Sequence, residues 1–269
     1  MPEGDTIHRA AATMQIALAG QTVTRFESVF AKLTRIDVDA PLRGRTIDRV
    51  YASGKNLIID FSGGLHLRTH MRMHGSWHLY RPGERWKRAS ADMRIVIETA
   101  PWIAVGFSVP VAELLDDEAL ARNADLNEIG PDLLGESFDE AEAFRRIRGR
   151  ADEEIADVLL NQRVAAGIGN EFKNEILFLA GINPFTLVRN LSDEQITSTL
   201  GIARKIMRAN IAKRSSRRMT TWSLDPNKAQ YVMSRGGQPC RKCATPIEYR
   251  KQGPNARGTY WCPTCQPVS

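Results

Sequence analysis

The sequence predicts an α+β protein in three parts, and three observations predict it. An amphipathic helical pattern at the start gives way to a long series of short alternating segments, helical periodicity then returns, and the only four cysteines stand near the end as two C-x2-C pairs. The boundaries that follow are residues 1–115 for the β-rich domain, 116–135 for an acidic linker, 136–228 for a helical domain and 229–269 for a small ribbon.

Residues 5–19 place Ile7, Ala11, Met14 and Leu18 at helical spacing, and Gly20 stops the helix. From Gln21 to about Val111 the period drops to that of strands: Val23–Phe30, Arg45–Tyr51, Asn56–Phe61, Leu65–Thr69, Ser76–Tyr80, Met93–Glu98 and Trp102–Phe107. Ser62-Gly63-Gly64 and Pro82-Gly83 read as turns between them, so the strands form a sandwich or a barrel. The stretch 116–135 is acidic and contains Gly130-Pro131, as a linker does. The last forty residues are rich in Gly, Pro, Cys and Arg and need something other than a large core to hold them.

Thirty-seven Lys+Arg against thirty-one Asp+Glu give a charge of +6, which favours a polyanionic partner only mildly. Two clusters are more informative, Arg145/Arg146/Arg148/Arg150 and Arg204/Lys205/Arg208/Lys213/Arg214/Arg217/Arg218, although either could equally be a solvated helical face. No apolar run is long enough to span a bilayer, and the acidic start lacks the apolar stretch of a signal peptide, so a cytoplasmic location is expected.

Cys240, Cys243, Cys262 and Cys265 form C-x2-C, an eighteen-residue gap and C-x2-C. Two knuckles of two thiolates supply the closed tetrahedral set of a structural zinc site, and the loop between them carries Arg250, Lys251 and Arg257. His66, His70, His74 and His78 recur every fourth residue, but Gly75 and the strand-like pattern around them argue against a metal-binding helical stripe. A helical hairpin is predicted from Ile155–Gln162 and from Phe172, Ile176, Leu179 and Ala180, joined through Gly167 and Gly169, with Asn170 as N-cap. A helix N-terminus behind a glycine turn suits a phosphate, a weak signal by itself.

Several blocks together carry a resemblance. Met1-Pro2-Glu3-Gly4, Ser53-Gly54-Lys55-Asn56-Leu57, His70-Met71-Arg72-Met73-His74-Gly75, Leu159-Leu160-Asn161-Gln162 with Gly167-Ile168-Gly169-Asn170, Arg235-Gly236-Gly237-Gln238-Pro239-Cys240 and Arg257-Gly258-Thr259-Tyr260-Trp261-Cys262 stand in one order along the chain. This series resembles the endonuclease VIII / formamidopyrimidine-DNA glycosylase family, and the Gly4-Asp5-Thr6 start is most similar to its actinobacterial Nei-like branch. The resemblance implies an N-terminal β-sandwich with an N-terminal helix, a helical domain with a helix–two-turn–helix, and a four-cysteine zinc ribbon. It implies a base-excision-repair glycosylase and AP lyase acting as a monomer on damaged duplex DNA and abasic sites, with single strands a further substrate, in the bacterial cytoplasm at the nucleoid.

On that resemblance Pro2, once the initiator methionine is removed, is the nucleophile. An α-amino group titrates at roughly pH 7.7–8.0, so much of it is neutral without burial, and the adjacent helix N-terminus lowers that value further. Glu3 is then the general acid/base, Lys55, Asn170 and Arg257 hold phosphates, and Arg72, Met73 and His74 fill the gap left by the extruded base. Met73 resembles the wedge methionine of the formamidopyrimidine branch. That branch's Asp-Arg-Phe insertion pattern is missing from the matching stretch Trp102–Ser108, which tilts the expectation towards oxidised pyrimidines over 8-oxoguanine. The loop that selects the lesion is expected within Thr220–Tyr231. The competing readings are an 8-oxoguanine and ring-opened purine glycosylase, a lyase acting mainly on abasic sites, and a non-catalytic nucleic-acid-binding zinc-ribbon protein. Pure binding requires no free N-terminal amine.

Overall fold

The structure is a computed structural model that describes residues 2–212, 218–221, 223 and 225–268. The chain divides into two compact units, the first ending at Glu128 and the second beginning at Ile129.

In the first unit, helix α1 (Gly4–Leu18) buries Ile7, Ala11, Met14 and Leu18 as one stripe, as their spacing predicts. It lies against β2 (Ile47–Ser53) and β3 (Asn56–Phe61). That cover explains why β3 reads as a continuous apolar run, Leu57-Ile58-Ile59, in place of an alternating one. With β1 (Val23–Ser28), β4 (Leu65–His70), β5 (Ser76–Tyr80), β6 (Met93–Thr99), β7 (Ile103–Phe107) and β8 (Val111–Asp116), these strands make two antiparallel four-stranded sheets, ordered β1-β6-β7-β5 and β2-β3-β4-β8. Val23, Ile47, Ile59, Leu67, Ile95, Ile97 and Ala104 meet in one core, so the sandwich, and not the barrel, is what forms.

Two features depart from the sequence reading. Ala31–Asp39 is a helix, α2, where only strands and turns were expected. Leu33 is its single fully buried residue, so no apolar stripe announces it. The segment expected as a linker carries two short helices, α3 (Asp117–Ala121) and α4 (Ala124–Asn127). Asp116 accepts from Ala119 N–H at 2.7 Å and Asn123 from Leu126 N–H at 3.3 Å, so each helix starts at its own side-chain cap.

Both short helices are fastened to β4. Asp117 contacts His66 Nε2 at 2.9 Å while Asp60 holds the other ring nitrogen at 2.7 Å. One strand position on, the buried Arg68 reaches Glu113 at 2.6 Å, Asp125 at 2.8 Å and the Asn56 side-chain oxygen at 3.0 Å.

The second unit packs α5 (Glu140–Arg148), α6 (Ile155–Leu160), α7 (Asn170–Ala180) and α8 (Asp193–Ile211) around Ile147, Leu159, Phe172, Ile176, Leu200 and Met207. Ser192 and Gln195 form a reciprocal capping box at the start of α8. The hairpin β9 (Glu248–Gln252) and β10 (Arg257–Trp261) completes the ribbon. Much of the basic charge is spent locally. Arg145 and Arg146 pair with Glu142, Arg148 with Asp193 and Arg150 with Glu153. In the second cluster Arg218 pairs with Glu171 and stacks over Phe172, whereas Lys213, Arg214 and Arg217 lie outside the described residues.

His66 yields a pH test. Burial alone would depress its pKa, but the hydrogen bonds and charges of Asp60 and Asp117 outweigh it and raise the value above the ordinary 6.5. A raised folded-state value means the protonated ring contributes stability in full below about pH 6.5 and loses it as pH climbs through the folded pKa. His66→Gln should therefore lower the melting temperature of the first unit more at pH 5.5 than at pH 8.5, measured by calorimetry at fixed ionic strength. An equal loss at both pH values would contradict a charged bridge.

Candidate active site

Six of the expected site residues lie in the first unit, two at the start of α1 and four in the loops that follow β2 and β4. Glu3 is the N-cap of α1, fully buried in an extended conformation, and its carbonyl accepts from Thr6 and Ile7 N–H at 2.9 and 3.2 Å. Pro2 stands beside it, half-buried, while Met1 lies outside the described residues. Pro2 is thus joined directly to a buried glutamate at the positive end of a helix.

Lys55 occupies the β2–β3 hairpin turn. Ser53 pairs with Asn56, which leaves a two-residue loop with Gly54 at φ +58° in first place, the position that a hairpin of this kind reserves for glycine. The buried Asn56 closes the turn by donating to Ser53 O at 3.2 Å, and Arg68 holds its other end. Asn56 also pairs with His70 across β4, so the next loop, Arg72-Met73-His74, leaves from the same end of the sheet. All three loop residues are exposed, Met73 by 55 %. Gly75 closes the loop where only a hydrogen fits, since a Cβ would sit 2.6 Å from Met71 O.

The sequence reading gave His70 no role of its own, yet the charges of Lys55 and Arg72 both act on it. Burial, then Lys55, Arg68 and Arg72, push its pKa down to about 4, so the ring is neutral at pH 7. Its Nδ1 accepts from the Arg72 backbone N–H at 3.1 Å, which leaves Nε2 as the protonated nitrogen. The β7–β8 connection is only Ser108-Val109-Pro110, so there is no long insertion loop there.

In the second unit Asn170 is the first residue of α7 and Gly169 the N-cap, a correction to the expected cap: the Asn170 side chain turns away from the helix start. Its Nδ2 donates to Gly258 O at 3.0 Å, directly beside the exposed Arg257. Asn170 therefore touches the hairpin one residue from Arg257. Among the described residues Asn170 Oδ1 is buried without a partner, a cost of about 1–3 kcal/mol that a residue kept only to begin a helix does not carry.

Thr220 and residues 231–233, the two ends of the segment in which the lesion-selecting loop was expected, are anchored by one buried carboxylate. Glu175 accepts from the Thr220 hydroxyl and from the N–H groups of Tyr231, Val232 and Met233, the last three at 2.8, 2.9 and 2.8 Å. Trp222 and Leu224, in its middle, lie outside the described residues.

The four cysteine sulfurs lie within 4.8 Å of one another, the one such group of possible metal ligands among the described residues. Thiolates about 2.3 Å from a zinc ion stand about 3.8 Å apart, and the separations here are 3.9, 3.4 and 3.5 Å. Thr245, through its side chain and backbone, draws the Cys243 thiol down to about 6, towards the thiolate a metal needs. Burial and the neighbouring thiols raise Cys262 and Cys265, which a bound cation would reverse. The donor set fits zinc. His66 and His70 lie on β4, His74 in the loop and His78 on β5.

With this geometry in place, the comparisons are specific. Residues 1–107 match the formamidopyrimidine-DNA glycosylase N-terminal domain, 129–221 the formamidopyrimidine-DNA glycosylase H2TH domain, and 237–268 the zinc finger found in FPG and IleRS. A probable endonuclease 8 2 of Streptomyces coelicolor is 36% identical over 99% of this chain and 94% of its own length. The chain belongs to the formamidopyrimidine-DNA glycosylase / endonuclease 8 family. The DNA-(apurinic or apyrimidinic site) lyase Nei2 of Mycolicibacterium smegmatis is 35% identical across the whole of both chains, and an endonuclease 8 of Escherichia coli 31% across 99% of this chain and all of its own. The fold matches a Lactococcus lactis FPG mutant in complex with Fapy-dG containing DNA, with TM-score 0.83 at 23% identity over 99% of this chain and 100% of that one. Membership makes this a DNA-binding glycosylase and AP lyase of base-excision repair with a structural zinc finger. No described helix is long and apolar enough to cross a membrane.

As a family zinc finger, the ribbon has a small core of its own, Val232, Ile247, Cys240, Cys262 and Cys265 against Phe178. Cys240→Ser should release the metal and expose the amides of 237–268 to hydrogen exchange, while the sandwich core, which involves none of these residues, keeps its protection. Full protection of the ribbon in metal-free protein would overturn the structural role.

Proposed function

We propose that this enzyme removes oxidised bases from duplex DNA, oxidised pyrimidines ahead of 8-oxoguanine, through the amine of Pro2, and then cuts the strand by β- and δ-elimination. The observation that carries the reading is the start of α1: a half-buried Pro2 joined to a fully buried Glu3 at a helix N-terminus. The neutral amine attacks the sugar C1′ as the glycosidic bond breaks, and the base departs with the bonding electrons and takes up the proton that the nitrogen sheds. Glu3 supplies the proton as the sugar ring opens to the iminium, which in turn acidifies the C2′ hydrogen for elimination.

Lys55 from its hairpin, and Asn170 and Arg257 from the α7–ribbon contact, are the proposed phosphate grips, which position without reading sequence. Arg72, Met73 and His74 are the proposed fillers of the vacated stack. The short β7–β8 connection supports the pyrimidine preference, since it leaves little chain with which to probe the opposite strand. The exposed Met73 favours the purine reading instead, and a lesion panel separates the two. Damaged duplexes, abasic sites and single strands are the proposed partners, met as a monomer in the cytoplasm at the nucleoid.

Incubation with single-lesion duplexes and borohydride should attach the protein to DNA through the Pro2 nitrogen, mapped by mass spectrometry. Attachment through a lysine with Pro2 unmodified would sink the assignment. Glu3→Gln should slow excision of a damaged base by about 100-fold or more and spare part of the cleavage at preformed abasic sites. Equal loss of both would make Glu3 structural.

Arg257→Ala removes an exposed cation, so it should weaken binding to damaged and undamaged duplex alike and lower the slope of log K against log salt by about one unit. Affinities for an abasic-analogue duplex across a salt series test this, and an unchanged slope would remove Arg257 from the site.

A further inference from the structure

We propose that Arg88 is a positioning residue that locks the Arg72-Met73-His74 loop and the Ser108 turn into one rigid edge, so that Met73 enters the DNA stack without relaxing. The proposal rests on the reading of that loop as the filler of the vacated stack. Arg88 lies in the long β5–β6 connection, far in sequence from both loops. Its Nη1 donates to His74 O and Ser76 Oγ, each at 3.2 Å. Its Nη2 donates to Ser108 Oγ and Asp92 Oδ2, each at 3.0 Å.

One planar fork therefore spans the end of the wedge loop and the end of β7, a geometry lysine's single ammonium does not reproduce. Asp92 completes the clasp, since its carbonyl accepts from Ser108 N–H at 2.7 Å while its carboxylate neutralises the guanidinium.

The two loops need such a clasp. Arg72 and Ser108 hold φ at +45° and +49°, the left-handed region that a residue with a Cβ keeps only when its surroundings over-determine it. Arg88 binds into both loops at once. It is itself seated on a fixed base: the neighbouring Lys87 N–H donates to Tyr80 Oη at 3.0 Å, and the Trp86 and Phe107 rings meet edge to face at 5.6 Å. The buried cluster of Tyr80, Val96, Val105 and Phe107 anchors the clamp in the sheet. A side chain that wedges between stacked bases meets resistance from stacking, and a slack loop would yield before the base does.

The test uses the full-length enzyme, with a ring-saturated pyrimidine in a duplex and 2-aminopurine beside it to report unstacking. Arg88→Ala should slow single-turnover excision by about 10- to 100-fold and reduce the fluorescence rise, with a smaller loss at preformed abasic sites and an unchanged salt slope. Arg88→Lys keeps the charge and should rescue little. Ser108→Ala, which removes a single strap, should give a smaller loss in the same direction and serves if Arg88→Ala folds poorly. In the Met73→Ala background Arg88→Ala should add less than its effect alone.

Full rescue by lysine, or a salt slope lowered by one in Arg88→Ala, would make Arg88 a phosphate contact and overturn the proposal, as would wild-type unstacking. If Met73→Ala unstacks the neighbour as wild type does, the wedge reading itself fails. If no duplex lesion is excised by the wild type, the glycosylase reading fails, and fluorescence on an abasic-analogue duplex still decides the clamp.

Discussion

A carboxylate taken out of water has to collect donors from whatever the fold brings to it, and on α7 that requirement organises the second unit. The first turns of α7 read Asn-Glu-Phe-Lys-Asn-Glu, polar at positions that are nonetheless half-buried or buried. Glu175 draws Thr220 and the amides of residues 231–233 together, Glu171 takes Arg218 and Gln230, and Lys173 donates to the Thr259 hydroxyl at 2.7 Å. Asn174 accepts from Tyr260 N–H at 2.8 Å, and Asn170 donates to Gly258 O. Residues 218–221 and 230–233 and the zinc ribbon are thus both hung on one helix by buried polar contacts. Truncating one partner of such a contact costs more than the contact contributes, because the other is left buried and unpaired.

The first unit solves a similar problem with a cation. Arg68 is nearly inaccessible on a central strand, and its three partners belong to β3, β8 and α4. The same guanidinium braces the Lys55 hairpin through Asn56 and secures the chain just before it leaves the sandwich. Burial keeps His70 neutral, and the charge of Arg68 adds to it with those of Lys55 and Arg72. Positive charge is concentrated at this end of the sheet without a protonatable ring adding to it.

Much of this was legible in the sequence, for reasons that differ by element. Residues 56–61 and 76–80 were placed at their exact bounds because apolar β-branched and aromatic runs stop at turn residues. The cysteines were legible because zinc geometry dictates spacing. The roles proposed for Pro2 and Glu3 rest on resemblance, since nothing in periodicity separates a catalytic helix start from an ordinary one. α2 escaped because one buried leucine makes no stripe. Asn170 was misplaced by a residue because its side chain answers to Gly258, eighty-eight positions away, and not to its own helix. Glu175 and Arg68 were invisible for the same reason: their roles are set by partners brought together only by tertiary structure.

That distinction also says where the site's rigidity comes from. Lys55 needs little tertiary help, because a glycine in a two-residue hairpin fixes it locally. The exposed 72–74 loop has no such local determinant. Arg72 sits in the left-handed region with a full side chain, and Gly75 closes the loop only by its lack of one. Local propensity would let this loop relax, so its shape must be imposed from outside it. The groups that impose it are His70 beneath it and Arg88 beside it, one accepting from the Arg72 amide and the other donating to the His74 carbonyl. A neutral imidazole and a charged fork, each held by the sheet, constrain the two ends of three exposed residues. A loop built this way can press an apolar side chain outward because its compliance has been removed at both ends.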